Sequence, residues 1–369
     1  MIFHLTSKKP VLLVGNGVRT AGAAEFVATF AEKNNIPIVT TMNAVDLAQD
    51  GIGFGFIGTY GNRIANMILA ECDLLISVGA RLGLRQVGNK IKNFAPKAKL
   101  IRVDIDQCEL SRDIKENEEK YLMDAKSFMQ MLLMEDIPNY ILWKKKCLKI
   151  KEVLSIYDKE IGNLVVEKIS SLLPRNPIIA VDVGQNECWC AQSLSLKGSL
   201  GRILIGGGYG SMGCGLPFAI GAAISQKNSP VFCITGDGGL QMNIQELETI
   251  KRENLPIKIL VLNNYALGKI SEIQLLSYEE RFAQTTKMSG YSVPNFEKIA
   301  IAYGIRAVTL STYKNLDEYE SWLQDNLPCL INICLPENTL LIPKVQWESG
   351  EIIPKLSEDV IQKVKNLFD

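Results

Sequence analysis

Apolar runs of strand length alternate with helix-like stretches along the first part of the chain. The run PVLLVGNG at 10–17 predicts a buried strand that enters a glycine turn, and GAAEFVATFAEKNN at 22–35 predicts an amphipathic helix. Two further apolar runs, at 36–41 and 73–79, predict short buried strands on either side of a helical stretch at 65–72. Strands separated by helices in this way indicate parallel βαβ units.

The same alternation returns in the second half of the chain. Strands are predicted for PIIAVDVG at 177–184, VFCIT at 231–235, IKILVL at 257–262 and CLINICLP at 329–336, and a glycine-rich turn opens a helix within 206–225. The expected fold class is therefore α/β, with two doubly wound domains, each a mostly parallel sheet with helices on both faces.

A change in composition separates the two halves between about 111 and 160, where lysine and glutamate become frequent. We interpret this stretch as a domain junction with solvated helices. The expected division is a first domain at 1–135, a linker at 136–160, a second domain at 161–345 and a C-terminal tail at 346–369.

The overall composition is typical of a globular protein with two domains and gives no sign of a nucleic-acid-binding or membrane-spanning protein. The chain has 369 residues, of which 47% are apolar, which is enough for two sizeable cores at about 150 residues per domain. Forty basic residues balance forty acidic ones, so bulk charge gives no reason to expect nucleic acid or an anionic membrane as a partner. No apolar stretch reaches about 18 residues, the length of a membrane span, without polar or glycine breaks.

The nine cysteines are scattered, and Cys188 and Cys190 are too close for a typical zinc pair. The first residues do not read as a secretory signal, so we expect reduced thiols and a cytoplasmic protein. The single histidine, His4, excludes histidine triads and histidine-rich metal sites.

Polar clusters end two of the predicted strands of the second half. VFCIT stops at Gly-Asp-Gly, 236–238, and IKILVL stops at Asn-Asn, 263–264, with room between them for a turn, a helix and a crossover to a neighbouring parallel strand. In open parallel sheets ligands bind at the carboxyl ends of strands. Asp237 and Asn264 would bring a carboxylate and a carboxamide there, which are oxygen donors suited to Mg²⁺.

Glycines and amides near these strand ends suit a phosphate group. Gly238 and Gly239 leave backbone amides open near a helix N-terminus. The strand at 177–184 leads into Gln185 and Asn186, whose amides can reach diphosphate oxygens, and the glycine-rich turn allows close backbone approach. Met212, within that turn, is either core filler or a polarisable side chain that packs under an aromatic ring.

Residues 8–345 resemble the middle and C-terminal domains of the acetolactate-synthase family of thiamine-diphosphate enzymes. The matching segments, in the family's order, are PVLLVGNGVR, IPIVTTMNA, GTYGNR, DLLISVGAR, PKAKLIRVDID, DVGQN, GYGSMGCGLPFAIGA, GDGGLQMNIQELETI and LPIKILVLNNYALG. The resemblance implies bound thiamine diphosphate and Mg²⁺, with Asp237, Asn264 and the backbone carbonyl of Ala266 as metal ligands.

The resemblance also implies the residues that contact the cofactor. Met212 would hold it in a bent shape, and Leu267 and Gly268 would lie beside its aminopyrimidine ring. The whole set expected to bind the cofactor is Gly184, Gln185, Asn186, Gly210, Met212, Gly238, Gly239, Leu267 and Gly268.

The chain departs from the family pattern at two places. The family usually has His where this chain has Asn186, which can still donate to a phosphate but not take part in proton transfer in the same way. GARLGLR at 79–85 replaces the acid-containing pattern GARFDDR, so one carboxylate near the family's flavin is absent.

In the first half, the signals for a dinucleotide are fragmentary. Gly15 and Gly17 follow a strand but match only part of the dinucleotide fingerprint, and a simple strand–helix turn explains them as well. Asp104 and Asp106 could bond a ribose or cap a helix. The resemblance implies FAD in this domain, with another adenine nucleotide or no ligand as the alternatives.

The catalytic residue is unknown from this sequence. In the resembled family the glutamate that activates the cofactor lies on an N-terminal pyrimidine-binding domain, usually of another subunit, whereas the middle domain here begins within ten residues of Met1. We therefore expect a second polypeptide or subunit, a fragment of a longer protein, or a non-catalytic relic. On the helix after Gly-Asp-Gly, Glu246 and Glu248 are expected to lie on the helix surface or in packing contacts.

The resulting function is a component of a 2-oxo-acid decarboxylase/carboligase that acts on a substrate such as pyruvate. Simple decarboxylation and a non-catalytic cofactor- or nucleotide-binding module are the alternatives. An oligomer or a pairing partner is expected, because a half-site would expose Met212, Leu267 and Ile270.

Overall fold

In a computed structural model of the protein, the described residues are 7–48, 52–116, 118–198, 200–226, 229–346 and 349–368. His4 lies outside them. The chain forms two compact units, one from residues within 1–158 and 342–369 and the other from 159–341. The domain boundaries expected from the sequence, after residues 135, 160 and 345, stay predictions.

The first unit is built on a parallel sheet of six strands. Its strands are β1 (Pro10–Val14), β2 (Ile38–Thr40), β3 (Gly53–Phe56), β4 (Leu74–Val78), β5 (Lys99–Asp104) and β6 (Glu119–Leu122). Its helices are α1 (Asn16–Thr20), α2 (Ala24–Asn34), α3 (Arg63–Glu71), α4 (Leu84–Val87), α5 (Gln107–Ser111), α6 (Ala125–Met134) and α7 (Ile141–Leu154). It also contains the 3₁₀ helices Met42–Ala48 and Ile91–Asn93.

The strand order in this sheet is β3-β2-β1-β4-β5-β6, so the direction of winding reverses between β1 and β4. Every residue of β1 and of β4 is buried. Both strands read as unbroken apolar runs because a parallel sheet is covered on both faces.

The second unit has the same kind of sheet. Its strands are β7 (Ile178–Val181), β8 (Arg202–Ile205), β9 (Val231–Gly236), β10 (Ile257–Asn263), β11 (Arg306–Leu310) and β12 (Cys329–Cys334). Its helices are α8 (Ile161–Leu172), α9 (Gln185–Ser193), α10 (Gly215–Ser225), α11 (Asp237–Met242), α12 (Leu247–Arg252), α13 (Gly268–Ser277), α14 (Phe296–Ala302) and α15 (Glu320–Gln324). Its 3₁₀ turns are Ile244–Glu246, Lys287–Ser289 and Tyr313–Tyr319.

All strand pairs in the second sheet are parallel, in the order β11-β12-β10-β9-β7-β8. The winding reverses between β7 and β9. The predicted α/β class with two parallel, doubly wound sheets is therefore confirmed. Among the described helices, none is long and apolar enough to cross a lipid bilayer.

The C-terminal segment returns to the first unit as the hairpin strands β13 (Lys344–Val345) and β14 (Ile352–Ile353) and the helix α16 (Glu358–Phe368). Val364 and Phe368 on α16 are buried in the first unit's core. Arg63 fixes the approach: its guanidinium donates to Asp158 at 2.6 and 2.7 Å and to the carbonyl of Pro354 at 2.7 Å. Residues distant in sequence therefore complete the first core.

Candidate functional site

The carboxyl ends of β7, β9 and β10 lie side by side in the second unit, because β9 pairs with both of the other strands. Asp182 follows β7, Asp237 follows β9 and Asn264 follows β10. The winding reverses between β7 and β9, and a crevice at such a point is where parallel α/β sheets bind ligands.

Asp237 is almost completely buried, with 2% of its surface exposed. Its Oδ1 accepts hydrogen bonds from the backbone N–H of Gly238 at 2.6 Å and from the hydroxyl of Tyr291 at 3.1 Å. Its Oδ2 is buried and accepts no hydrogen bond from any described residue. Burial raises the pKa of Asp237 to about 6, and the Gly238 N–H, the Tyr291 hydroxyl and the nearby backbone N–H groups of Tyr265 and Ala266 oppose that rise.

A buried carboxylate oxygen without a donor is costly unless a ligand satisfies it. The neighbouring groups fit a hard divalent cation, since Asn264 offers a carboxamide oxygen and Ala266 a backbone carbonyl. Asn264 is buried, and its Nδ2 donates to Oε1 of Gln185 at 3.1 Å, which leaves its Oδ1 available as a ligand. Tyr265, between the two, has a positive φ of 57° that turns the chain sharply there.

Three side chains converge on the bare backbone of Gly238. A Cβ atom at that position would lie 2.8 Å from Cδ2 of Leu267, 2.9 Å from Cε of Met212 and 3.0 Å from the hydroxyl of Tyr291. The structure therefore brings together Met212 and Leu267, which are far apart in sequence, beside the buried carboxylate. Any larger residue at 238 would displace them.

Gln185 uses its side chain to join segments of the protein. Its Nε2 donates to Glu272 at 3.3 Å and to the carbonyl of Thr339 at 2.9 Å, while its Oε1 accepts from Asn264. A Cβ atom on Gly268 would overlap that Oε1. Because both amide hydrogens of Gln185 have protein acceptors, its contact with an anion falls to its backbone N–H, at the start of α9.

Asn186 is also directed inward. Its Nδ2 donates to the carbonyl of Asp182 at 2.7 Å, and a Cβ atom on Gly236 would lie 3.4 Å from its Oδ1. Gly184 precedes the helix with a φ of 133°, a conformation that favours glycine. Gly210 has a φ of 62° and lies against Val183, just past the end of β7.

Asp182 belongs to this site, although sequence reasoning missed it. It is 1% exposed and accepts hydrogen bonds from the backbone of Val183 at 2.8 Å, the backbone of Gly213 at 2.9 Å and the hydroxyl of Thr235 at 2.9 Å. Burial raises its pKa, and these hydrogen bonds lower it again. A Cβ atom on Gly239 would overlap its Oδ2. The available signal was its place directly after an apolar strand, the same place that Asp237 has.

Two glutamates singled out from the sequence, Glu246 and Glu248, follow α11 in the chain. Glu246 accepts a hydrogen bond from the Thr249 hydroxyl at 2.7 Å, and Glu248 is exposed on α12. Glu246 is half-buried at the end of a 3₁₀ helix and takes part in a packing contact, whereas Glu248 lies on the helix surface. Ile270, on α13, is 49% exposed.

In the first unit, glycines at the reversal point serve close backbone packing. A Cβ atom on Gly15 would overlap the carbonyl of Gly79, and the N–H of Gly17 donates to that same carbonyl at 3.0 Å. Asp106 caps a helix, since its carboxylate accepts from the N–H of Cys108 at 2.8 Å. Of the two roles considered for Asp106, the structure shows the cap.

Comparison with known proteins gives the family. The central domain of thiamine pyrophosphate enzymes matches residues 5–132, and their C-terminal TPP binding domain matches residues 182–333. The large subunit of acetolactate synthase isozyme 2 from Escherichia coli (strain K12) is 31% identical over 361 residues, which cover 95% of this chain and 64% of that protein.

Two other relatives have a similar identity and coverage. The acetolactate synthase large subunit of Lactococcus lactis subsp. lactis (strain IL1403) is 32% identical over 98% of this chain and 64% of its own length. A probable acetolactate synthase large subunit of Methanocaldococcus jannaschii is 34% identical over 98% of this chain and 65% of its own length. The chain spans just under two thirds of these relatives, and it belongs to the family of thiamine pyrophosphate enzymes, whose central and C-terminal TPP-binding domains it carries.

Proposed function

We propose that this chain forms the cofactor- and metal-binding part of a thiamine-diphosphate- and Mg²⁺-dependent 2-oxo-acid decarboxylase/carboligase of the acetolactate-synthase type. The observation that carries the proposal is the buried Oδ2 of Asp237, which has no donor among the described residues and lies beside a glycine that three side chains surround. The names of the relatives support the type of reaction.

In this proposal the metal is held by Asp237, Asn264 and the carbonyl of Ala266. The diphosphate is bound by amides at the carboxyl ends of β7 and β9, contributed by Gly184, Gln185, Asn186 and Gly239, while Gly238, whose N–H donates to Asp237, gives the cofactor backbone room. Met212 and Leu267 pack against the rings of the cofactor, with Gly210 and Gly268 giving the backbone room. Thiamine diphosphate, when bound, supplies the electron sink for decarboxylation of a 2-oxo acid such as pyruvate.

The protein's part in the reaction is to bind and orient the cofactor and the substrate and to exclude water from the site. The hydrogen bond between Gln185 and Asn264 holds the carboxamide in place, and the hydrogen bonds on Asp182 hold the turn that carries Met212. The activating glutamate is proposed to lie on a pyrimidine-binding segment, which a second polypeptide, a second subunit or further residues of the same protein supply.

Apolar side chains next to the site suit such a partner. Met212 is 41% exposed and Ile270 is 49% exposed, and Leu267 is half-buried. Apolar groups clustered in this way are typical of an interface, so we include an oligomer or a pairing subunit in the proposal. Light scattering of the purified chain, alone and with a pyrimidine-binding polypeptide, measures this directly.

Two further elements belong to the proposal. A cytoplasmic location is supported by the cysteines, nine in the described residues, none of them joined in a disulfide. An adenine nucleotide, with FAD as the first candidate, is proposed at the reversal point of the first sheet, where the strand order is the one that binds dinucleotides in other proteins.

Calorimetry tests the proposed function. Thiamine diphosphate should bind tightly in the presence of Mg²⁺ and much more weakly after chelation of the metal. With a matching pyrimidine-binding polypeptide present, pyruvate should give acetolactate; acetaldehyde instead would show simple decarboxylation. Binding that does not depend on Mg²⁺ would refute the assignment of the site.

A further inference from the structure

We infer that Tyr291 is a positioning residue that turns the Asp237 carboxylate so that Oδ2 faces a divalent cation. The inference deepens the proposed function and rests on Asp237 being a metal ligand. Tyr291 lies 54 positions beyond Asp237, in the segment between α13 and α14, and none of the motifs in the sequence includes it.

The hydrogen bonds on Asp237 are unevenly shared between its two oxygens. The Tyr291 hydroxyl and the Gly238 N–H both donate to Oδ1, at 3.1 and 2.6 Å, and Oδ2 receives none from the described residues. Two donors on one oxygen hold the plane of the carboxylate. The second oxygen is thereby kept for a ligand instead of rotating into a hydrogen bond with the protein.

The tyrosine is itself held by a braced turn. Its N–H donates to the carbonyl of Thr286 at 2.9 Å, and Thr286 and Ser289 form a reciprocal capping box around Lys287–Ser289. The Ser289 hydroxyl also accepts from the N–H of Thr285 at 3.0 Å. The hydroxyl of Tyr291 is therefore offered from a fixed position and not from a loose loop.

The same turn is fastened to the metal-binding segment. The N–H of Leu267 donates to the carbonyl of Thr285 at 2.9 Å, directly after Ala266. Groups that hydrogen-bond to a metal ligand and fix its orientation contribute to metal binding, and their loss typically costs roughly 10–100-fold in metal affinity.

Tyr291→Phe removes the hydroxyl donor and keeps the aromatic ring. We expect thiamine diphosphate affinity in the presence of Mg²⁺ to fall about tenfold, while the affinity after chelation of the metal stays unchanged. A matched control is Tyr303→Phe, at the C-terminal end of α14, which should alter neither value. Both affinities are measured by calorimetry, and thermal melting verifies that each variant folds.

Equal affinities for the Phe variant and the unaltered protein would overturn the inference and leave the proposed function standing. An equal loss with and without Mg²⁺ would also overturn it, because that result indicates general loosening of the site. If the unaltered protein shows no Mg²⁺-dependent binding, the proposed function fails and the inference fails with it.

A second variant covers the case in which Tyr291→Phe does not fold. Ser289→Ala loosens the turn and keeps the hydroxyl of Tyr291. It should reduce the Mg²⁺-dependent gain in affinity about twofold to threefold, a smaller loss than the removal of a direct partner of the ligand gives. An unchanged gain in a folded Ser289→Ala protein would contradict the inference.

Discussion

The reversal points of the two sheets share an architecture and differ in what lies at the strand ends. In the first unit Gly15 and Gly17 pack against Gly79, so backbone meets backbone. In the second unit two carboxylates, Asp182 and Asp237, are buried at the equivalent place. A parallel sheet that changes its winding direction supplies a crevice, and the residues placed there decide the chemistry that it supports.

The charged side chains near the two reversal points also differ in their exposure to water. Arg81, two residues after Gly79, pairs with Glu109 in an ion pair whose arginine side chain is 79% exposed. Water screens such a pair strongly. Asp237, by contrast, is shielded from water, and burial raises its pKa to about 6. Only the second unit therefore presents, among the described residues at these strand ends, a carboxylate whose charge a metal would stabilise substantially.

Removal of the Asp237 carboxylate should have the largest effect. Asp237→Ala is expected to weaken Mg²⁺-dependent binding of thiamine diphosphate roughly a hundredfold, because interactions with a charged group are worth about 1.5–3 kcal/mol each. Calorimetry measures the change. The exposed Glu248→Ala on α12 serves as the acidic control and should bind as the unaltered protein does. Undiminished binding by Asp237→Ala would remove the distinction between the two reversal points.

Removal of the Asp182 carboxylate should lower the stability of the protein more than removal of the Asp104 carboxylate at the end of β5 in the first sheet. Asp182→Ala leaves the N–H groups of Val183 and Gly213 and the hydroxyl of Thr235 without their acceptor, which should lower the free energy of unfolding by about 2–3 kcal/mol. Asp104→Ala, at the end of β5, should cost about 1 kcal/mol or less, since that carboxylate is only half-buried. Urea denaturation followed by circular dichroism compares them. Equal losses of unfolding free energy in the two variants would mean that the difference in burial between the two carboxylates does not determine their contribution to stability.

A pair of glycine substitutions separates a backbone contact in the first unit from a side-chain contact in the second. Gly15→Ala forces a Cβ atom into the backbone at Gly79 and should cost about 2 kcal/mol of stability. Gly268→Ala forces it into the side chain of Gln185, which can shift, so the stability should change less while the affinity for Mg²⁺ and thiamine diphosphate falls roughly tenfold. Melting and calorimetry on both variants separate the two outcomes, and a reversed pattern would contradict the assignment of roles.

The pH dependence is expected to be the mildest effect. With the pKa of Asp237 at about 6, protons compete with the metal below that value, and Mg²⁺ affinity should fall about tenfold per pH unit as the pH drops further. Without metal the sign for stability is opposite. A folded-state pKa above the unfolded value stabilises the protein at low pH, and this contribution is lost as the pH rises through about 6. The Mg²⁺ affinity is measured between pH 5 and pH 7 in steps of about half a unit. An affinity that does not change over this range would contradict a pKa of Asp237 raised by burial.

Much of this arrangement can be predicted from the sequence because its causes are local. The runs VFCIT and IKILVL are unbroken because β9 and β10 are buried on both faces, and each stops where polar residues begin. Strand ends in a parallel sheet meet at one edge, so Asp237 and Asn264 follow from spacing. Asp182 was within reach of the same argument.

The remaining features depend on contacts between residues that are far apart in sequence. Tyr291 reaches Asp237 from an irregular segment that has no pattern of its own. The use of the Gln185 side chain is decided by Thr339 and Glu272, which lie 154 and 87 positions away. From the sequence only a C-terminal tail at 346–369 is predicted, and nothing within those residues indicates which core α16 joins.

The return of α16 also sets an order of assembly during synthesis. The second unit is continuous in sequence, so its sheet can close once about residue 341 has left the ribosome. The strands of the first unit are translated earlier, yet the buried side chains of Val364 and Phe368 in its core are translated only after the whole second unit. Of the two units, the one whose synthesis starts first is therefore completed second, and until then its incompletely filled core exposes apolar surface that a chaperone can bind.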